Sequence, residues 1–210
     1  LEASSSPPDQ VIVVDAPARL PPAAARNVGA GRARGDVLVF VDADVAVHPD
    51  ALACLRAHFT RSPGDGASPD AVFGSYDDTP EHPGLVSSFR NLLHHRTHQR
   101  APGPAETFWT GLGAVRRERF FDLGGFDDDR YAAPSIEDIE FGTRLRAAGG
   151  TVLLDPTVQG THLKRWTLRS MITTDVRHRG VPWVALQVRD RRIASSLNLD
   201  TAHRVSAVTV

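Results

Sequence analysis

Residues 36–44 read Asp-Val-Leu-Val-Phe-Val-Asp-Ala-Asp, a hydrophobic run closed by two aspartates. The five consecutive apolar residues, four of them β-branched or aromatic, predict a fully buried strand. Asp42 and Asp44 follow at its carboxyl end, where open α/β sheets bind their ligands. In an extended backbone these two side chains point the same way and could share one hard cation, Mn²⁺ or Mg²⁺. A strand followed by an acidic turn without a ligand is the alternative.

The composition indicates one globular domain, or one domain with a small appendage. The chain has 210 residues, of which 41% are hydrophobic and 23% are charged. A net charge of −1 gives no indication of a nucleic-acid partner. Cys54 is the only cysteine, so no internal disulfide can form, and a reducing compartment is expected. No secretory signal is expected at Leu1, and no apolar run approaches the roughly 20 residues that span a bilayer.

The remaining pattern predicts an alternation of strands and helices. Residues 11–14, Val-Ile-Val-Val, predict a second buried strand that ends at Asp15, and residues 23–34 have a helical composition. Strand, helix and strand in this order predict a parallel βαβ unit. Residues 85–99 predict an amphipathic helix with one apolar stripe. Further strands are expected at 71–76, 107–115 and 151–154, and further helices at 49–59, 116–123, 135–148 and 166–178.

Several motifs occur in a fixed order along the chain. Residues 24–29, Ala-Ala-Arg-Asn-Val-Gly, precede the Asp-Ala-Asp stretch, and residues 111–117 and 124–127 read Gly-Leu-Gly-Ala-Val-Arg-Arg and Gly-Gly-Phe-Asp. Glu137-Asp138 opens the next motif, and residues 162–166 read His-Leu-Lys-Arg-Trp. Together these motifs, over residues 11–166, resemble family 2 glycosyltransferases of the GT-A fold. His162 stands where that family has the glutamine of Gln-x-x-Arg-Trp.

The resemblance implies an α/β nucleotide-diphospho-sugar transferase fold in a single domain, with a mostly parallel central sheet flanked by helices. It implies a core at 1–165, with a donor half at 1–76 and an acceptor half at 77–165. Residues 166–210 would form a C-terminal helical, membrane-proximal extension. The family's opening strand, Val-Ile-Pro-x-x-Asn, is not found before Val11, and its Asp-Gly-Ser does not continue Asp15. We therefore expect an N-terminal strand and helix and an internal stretch to be missing from this sequence.

The resemblance also implies roles for residues of the donor half. Asp42 and Asp44 would hold the cation against the diphosphate of a nucleotide-sugar, and His162 could be a further metal ligand or a plain polar contact. Asp15 would bind the nucleobase or ribose, or would only cap a turn. Arg26 would reach the base or a phosphate, or would be a solvated helix residue.

After the strand that ends near His162, three residues are further donor-binding candidates. Lys164 and Arg165 could clamp the diphosphate. Trp166 could stack on a sugar or a base, or could belong to the core.

In the acceptor half, Asp138 is the candidate general base and Glu137 would bind acceptor hydroxyls. An inverting transfer needs one carboxylate to take the proton of the attacking hydroxyl. The alternative is that both residues only favour a helix N-terminus. His94 and His98 are one helical turn apart and could ligate zinc, but with no carboxylate or cysteine beside them they are interpreted, with His95, as surface residues.

The predicted function is transfer of a sugar from a nucleotide-diphosphate donor to an acceptor hydroxyl. We expect the donor to be a UDP-sugar, and we expect the transfer to invert the anomeric carbon and to require a divalent metal. The acceptor would be a glycan, a small molecule or a lipid-linked compound. One alternative is a GT-A-like nucleotidyltransferase. That class has a glycine-rich phosphate loop near its start, and no such loop is visible in this sequence. The other is a catalytically silent module that binds nucleotide-sugars or glycans.

The segment 164–192 mixes arginines with tryptophans and aliphatic residues, which suits a bilayer interface. A cytoplasmic protein at the inner face of a membrane is therefore predicted, with residues 204–210 as the possible start of a span. A solvated helix face with core tryptophans is the alternative.

Overall fold

The computed structural model describes residues 4–15, 20–60 and 68–190. A π-helical turn, Thr174–Gly180, joins the last two helices. The helices are α1 (Pro22–Arg32), α2 (Ala51–Phe59), α3 (Leu85–Gln99), α4 (Arg117–Asp122), α5 (Glu137–Ala147), α6 (Leu168–Thr173) and α7 (Val181–Asp190). The strands are β1 (Val37–Val41), β2 (Val45–Val47), β3 (Ala71–Tyr76), β4 (Gly103–Pro104), β5 (Leu112–Arg116) and β6 (Val152–His162).

These strands form one mixed sheet in the order β1-β5-β3-β6-β2, with β4 paired to β6. Only β3 and β6 run parallel, while the other four pairings in the described residues are antiparallel. The prediction of a mostly parallel sheet is therefore wrong. It relied on residues 11–14 as a parallel partner of β1, and β1 instead pairs with the antiparallel strand β5.

Residues 11–14 are not part of a strand. Val13 is 73% exposed, so this segment has no buried face of the kind predicted. Gln10 joins the start of this segment to the end of α1, because its side chain donates to the Arg32 carbonyl at 3.3 Å and accepts from the Arg34 amide at 3.1 Å. The segment therefore follows the end of α1 instead of pairing with β1, and the predicted βαβ unit is not formed.

Strand β1 has the predicted bounds but lies at the edge of the sheet. Leu38 and Phe40 are buried, whereas Val39 between them is 41% exposed. Alternate residues of a strand point to opposite faces, so one face of β1 is covered by the core and the other is partly open. The prediction of a fully buried strand is wrong because an unbroken apolar run does not say how many faces are covered.

Two hydrophobic clusters cover the sheet on opposite faces. Val72 and Phe73, neighbours in β3, belong to different clusters and so point in opposite directions. One cluster is rich in phenylalanine: Phe40, Phe73, Phe108, Phe120, Phe126 and Phe141. The other packs α2 on the sheet: Ala51, Leu52, Leu55, Val72, Leu112, Ala114 and Val158.

Helix α3 has the predicted bounds, but its orientation is the reverse of what an amphipathic pattern indicates. The polar residues Ser87, Asn91 and His98 are buried, while Leu85 is 85% exposed and Phe89 is also exposed. The buried side chains are hydrogen-bonded to main-chain groups. Asn91 donates to the Asp77 carbonyl at 2.8 Å, and Ser87 accepts from the Trp166 amide at 2.8 Å. Helix α3 therefore packs by hydrogen bonds to the ends of β3 and β6.

The C-terminal helices form one nearly continuous rod through α6, the π-helical turn and α7. Leu186 and Trp183 pack into the phenylalanine-rich cluster. Exposed apolar residues recur along the rod at Leu168, Ile172, Val176, Val181, Val184 and Val188. Within the described residues, no helix is both long and apolar enough to cross a membrane. The span predicted at 204–210 lies outside the described residues, as do Arg191 and Arg192.

Helix α5 is seated directly on the main chain before β5. A Cβ atom at Gly142 would lie 2.2 Å from the Phe108 nitrogen and 2.6 Å from the Thr107 carbonyl carbon, distances that no side chain can satisfy. Because the obstacle is backbone, a larger residue could be accommodated only by moving α5. The glycine therefore fixes where α5 begins relative to the segment at 107–111.

Gly142→Ala is expected to lower the free energy of unfolding by about 1–3 kcal/mol, the usual cost of overpacking. Gly31→Ala in α1 is the matched control, since nothing lies within 4 Å of its Cβ position. Replacing a helical glycine without a clash should stabilise the protein by up to about 1 kcal/mol. Urea denaturation of both variants tests this, and equal effects at the two sites would contradict the proposed contact.

Candidate active site

Asp42 and Asp44 lie in a tight turn between β1 and β2. The Asp42 amide donates to the Gly111 carbonyl at 3.2 Å, and the Val45 amide donates back to the Asp42 carbonyl at 3.0 Å. The chain reverses here so that β2 can pair with β6. The sequence-based prediction that both carboxylates point the same way assumed an extended backbone, and the backbone here is a turn. Asp42 instead contacts Arg26, and Asp44 lies near His162.

His162 closes β6 directly opposite Val45. The His162 Nε2 is 3.6 Å from the Asp44 Oδ2, and the imidazole stacks on the Tyr76 ring with 4.2 Å between centroids. Interaction with His162, assisted by the charge of Lys164, lowers the pKa of Asp44. Asp44 is therefore an ionised, partly exposed carboxylate with the His162 imidazole and the Lys164 charge near it.

Arg26 joins the two acidic groups of the site. Its Nη2 donates to the Asp42 Oδ1 at 2.6 Å and its Nη1 donates to the Glu137 Oε1 at 2.7 Å. Only 16% of the Arg26 side chain is exposed. Burial alone would lower its pKa, but attraction to Asp42, Asp138 and Glu137 outweighs this and raises it. The interpretation of Arg26 as a solvated helix residue is therefore wrong.

Asn27, the next residue of α1, holds the other side of the site. Its amide donates to the Phe126 carbonyl at 2.8 Å and its carbonyl accepts from the Phe126 amide at 3.0 Å. Gly125 precedes this contact with a φ of 71°, and a Cβ there would lie 2.7 Å from the Asn27 Oδ1. Helix α1 thus contacts the Asp42 turn and the Gly-Gly-Phe-Asp motif through two consecutive residues.

Asp138 lies in the first turn of α5. Its Oδ2 accepts from the Thr110 amide at 3.3 Å and the Thr110 hydroxyl at 3.4 Å, and its Oδ1 accepts from the Ile139 amide at 2.8 Å. Burial away from water and the negative charge of Glu137 raise the pKa of Asp138 to about 6, although the positive charges of Arg26 and Arg179 act in the opposite direction. Asp138 therefore takes up and releases a proton close to neutral pH.

Glu137 is more constrained than Asp138. Besides the contact with Arg26, its Oε2 accepts from the Ser135 amide at 3.0 Å, and its side chain is only 6% exposed. Ile136 holds the N-cap position of α5, and the hydroxyl of the preceding Ser135 donates to the His178 carbonyl. Both oxygens of Glu137 are therefore engaged in holding the site together.

The segment Trp109-Thr110-Gly111 links the two halves of the site and was not identified from the sequence. Thr110 contacts Asp138, while the Gly111 carbonyl accepts from the Asp42 amide. A Cβ at Gly111 would lie 2.2 Å from the Trp109 ring, which explains the glycine. Gly111 opens the motif at 111–117, and that motif could have drawn attention to the neighbouring Thr110.

His94 and His98 are not surface residues, and that prediction is wrong. Their rings lie 4.0 Å apart by centroid, and the His94 ring also contacts Tyr76 and Trp109. Burial lowers the pKa of His98 to about 4 and also lowers that of His94, so both are neutral at physiological pH. His95 is partly buried, and its Nδ1 donates to the Tyr76 carbonyl at 2.8 Å. The neutral rings of His94 and His98 therefore lie behind Tyr76, the ring on which His162 stacks.

The remaining candidates lie at the margin of this site. Lys164 and Arg165 are exposed, and Trp166 is buried beneath the cations of Arg90 and Lys164, at 5.5 and 4.6 Å from its ring. Trp166 therefore serves the core, as the alternative interpretation held. Asp15 is exposed and is not among the residues that contact Asp42, Asp44 or Asp138 in the described structure.

The acidic side chains suit a divalent cation by chemistry, but they are not gathered around one point. In the described residues, no group of three His, Cys, Asp or Glu side chains could hold a metal as placed. Carboxylate oxygens are the ligands that Mg²⁺ and Mn²⁺ prefer. Asp44 and His162 already lie close together, whereas Asp42 is engaged with Arg26. The side chains present are of the types that bind a divalent cation. They are not arranged around one point because Asp42 is paired with Arg26.

Comparison with known proteins identifies the family. Residues 1–124 match the family described as glycosyl transferase family 2, which is more than half of the chain. The chain belongs to glycosyl transferase family 2. The match contains Arg26, Asp42 and Asp44 and ends before Glu137 and His162.

Solved structures agree on the fold. A mannosyltransferase from Pyrobaculum calidifontis, in complex with GDP-Man and Mn²⁺, superposes with a TM-score of 0.58 at 23% identity over 85% of this chain. GalNAc-T7 with UDP, GalNAc and Mn²⁺ gives a TM-score of 0.50 at 20% identity over 71% of this chain. Both have the GT-A fold, which confirms the predicted fold class. The chain spans 46% and 31% of the lengths of these two proteins.

Proposed function

We propose that this protein transfers a sugar from a nucleotide-diphosphate donor to an acceptor hydroxyl, with inversion and with the help of a divalent cation. The observation that carries the proposal is the joining of Asp42 and Glu137 by Arg26, with Asp138 beside them. This contact brings the acidic turn of the donor half and the carboxylates of the acceptor half into one site. Membership of glycosyl transferase family 2 supports the reaction class.

Asp138 is the residue best suited to act as the general base. A pKa of about 6 leaves it ionised at neutral pH and still basic enough to accept the proton of an attacking hydroxyl. The hydrogen bonds from Thr110 fix the Oδ2, so the carboxylate has a defined direction. Glu137 is ion-paired with the Arg26 guanidinium and accepts from the Ser135 amide, so it is better suited to holding Arg26 and the start of α5 than to moving a proton.

The donor would bind at the turn between β1 and β2. Asp42, Asp44 and His162 are the residues that would hold Mn²⁺ or Mg²⁺, and a bound cation would neutralise charge that develops on the departing diphosphate. Lys164 lies close enough to influence Asp44 and would add positive charge on the open side, with Arg165 beside it. Asp15 remains a proposed contact to the nucleoside, whereas Trp166 is buried in the core and is not proposed as one. The two structural neighbours were determined with Mn²⁺, which supports testing that ion first.

Two other functions remain in consideration. A silent nucleotide-sugar or glycan-binding module would not need a carboxylate whose pKa is raised to about 6, so Asp138 favours an enzyme. A nucleotidyltransferase of similar fold would need a glycine-rich phosphate loop, which the sequence does not show. Slow release of free sugar from the donor in the presence of Mn²⁺ would separate an enzyme from the silent module.

The donor site is tested by binding. Wild-type protein should be stabilised against heat by UDP or GDP with Mn²⁺, because a ligand that binds only the native state adds roughly 2.7 kcal/mol at a hundred times its dissociation constant. Asp44→Ala should lose this effect and keep its fold, since the residue lies in a partly exposed turn. Calorimetry would then compare the two proteins directly. Equal nucleotide–Mn²⁺ affinity in both would remove Asp44 from the site.

The acceptor side is tested by turnover. Asp138→Asn should keep nucleotide affinity and lose about 10²–10⁴-fold in kcat, because only the proton acceptor is removed. In the wild type, kcat should fall as the pH drops below about 6, since the protonated carboxylate cannot act as a base. Glu137→Gln is the comparison, and a larger loss there than at Asp138 would move the base to Glu137.

We also propose that the α6–α7 rod contacts an anionic membrane surface, with a lipid-linked or envelope acceptor at the cytoplasmic face. The exposed apolar residues of the rod recur at intervals of about one helical turn, and the exposed Arg169 and Arg177 lie among them. Such a combination suits the boundary between head groups and acyl chains. The proposal uses only the part of the segment 164–192 that the structure describes, which ends at Asp190.

Liposome co-sedimentation tests the membrane proposal. The bound fraction should rise with anionic lipid and fall with salt, because surface attraction is screened within about 8 Å at physiological ionic strength. Val184→Glu, on the exposed stripe, should reduce binding, while Val13→Glu, at an equally exposed valine outside it, should not. Failure of wild-type protein to bind anionic vesicles at low salt would leave the stripe without a membrane role.

A further inference from the structure

Arg26 is placed where a divalent cation and a diphosphate would have to bind. One guanidinium nitrogen donates to the Oδ1 of Asp42, a proposed metal ligand, and a second nitrogen donates to Glu137. The side chain is 16% exposed, and its carbon ζ lies 6.0 Å from the centre of the Phe126 ring. It is therefore held by two charged contacts and by packing against an aromatic ring.

The charge balance of the site explains this position. Asp42, Glu137 and Asp138 all act electrostatically on Arg26. Without a cation these carboxylates would repel one another in a partly buried site, and Arg26 supplies the compensating charge. A guanidinium holds two carboxylates through different nitrogens of one rigid fork, whereas an ammonium group has all its donors on a single nitrogen.

We propose that Arg26 is a resident counter-ion that competes with the divalent cation for Asp42. A cation entering between Asp42 and Asp44 brings two positive charges close to the guanidinium, so Arg26 has to give up the Asp42 oxygen. The freed guanidinium group gains its best new partner only when a diphosphate arrives with the metal. The cation alone is then bound weakly, and cation and nucleotide are bound together.

This inference rests on the proposed function, since it assumes the cation site at Asp42 and Asp44. It goes further by giving one residue opposite effects on two ligands. Arg26 opposes binding of the bare cation, with which it shares Asp42, and favours binding of the anionic diphosphate. The contact with Glu137 means that the same exchange also changes the charge beside Asp138 in α5.

The test uses Mn²⁺ alone and then a nucleoside diphosphate, UDP or GDP, at saturating Mn²⁺. Binding of Mn²⁺ alone is followed by the electron paramagnetic resonance signal of the free ion, and nucleotide binding is followed by calorimetry. Arg26→Ala should bind Mn²⁺ alone at least about tenfold more tightly than wild type. The same variant should bind the nucleoside diphosphate at least about tenfold more weakly. Arg26→Gln, which keeps a polar side chain without the charge, should change both affinities in the same directions.

Arg32→Ala, an exposed arginine on the same helix, is the control and should change neither affinity. Arg26→Lys keeps the charge but not the fork, and its Mn²⁺ affinity should lie between those of wild type and Arg26→Ala. Unchanged or weaker Mn²⁺ binding in both neutral variants, with their fold verified by circular dichroism, overturns the proposal while the donor site stands. Failure of wild type to bind any nucleoside diphosphate with Mn²⁺ would instead overturn the proposed function, and this inference with it.

Discussion

The ion pairs of Arg26 with Asp42 and Glu137 are the interaction on which the site depends. They connect a helix, a turn at the sheet edge and the first turn of another helix, three elements that are far apart in the chain. Carboxylates placed this close together need a shared cation, because their mutual repulsion is only weakly screened in a partly buried site. Asn27 adds neutral hydrogen bonds to Phe126 from the same helix. The Arg-Asn pair is therefore an organising element of the fold as well as a candidate ligand site.

The sequence was a good guide to which residues meet. Asp42, Asp44, Arg26, Glu137, Asp138 and His162 were selected from motifs, and the structure brings all six to neighbouring positions. The bounds of β1, β3 and α3 were also predicted, because each is a run of one composition ended by polar or turn-forming residues. The bounds of an element and the residues of a motif are properties of the local sequence. They can therefore be predicted without knowing how the rest of the chain folds.

Pairing and orientation could not be predicted in the same way. A hydrophobic run does not state which strand lies beside it, so the parallel unit predicted from residues 11–14 is wrong and the antiparallel pairing of β1 with β5 was missed. Helix α3 shows a second reason, because main-chain carbonyls at the end of β3 accept hydrogen bonds from its polar face. Those acceptors exist only in the folded protein. His95 and His98 were misassigned for the same cause, since their Nδ1 atoms donate to the carbonyls of Tyr76 and Gly74.

The π-helical turn between α6 and α7 governs the rotation of the last helix about its axis. Val176 and Val181 are five residues apart, yet the wider turn keeps both on the exposed side, while Trp183 and Leu186 face the core. An α-helix advances about 100° per residue, so loss of one residue from this turn would rotate α7 by that amount. The core-facing and outward-facing sides would then no longer match their surroundings. Packing therefore constrains the number of residues at this point of the chain more than the identity of their side chains. Neutral insertions or deletions are expected elsewhere.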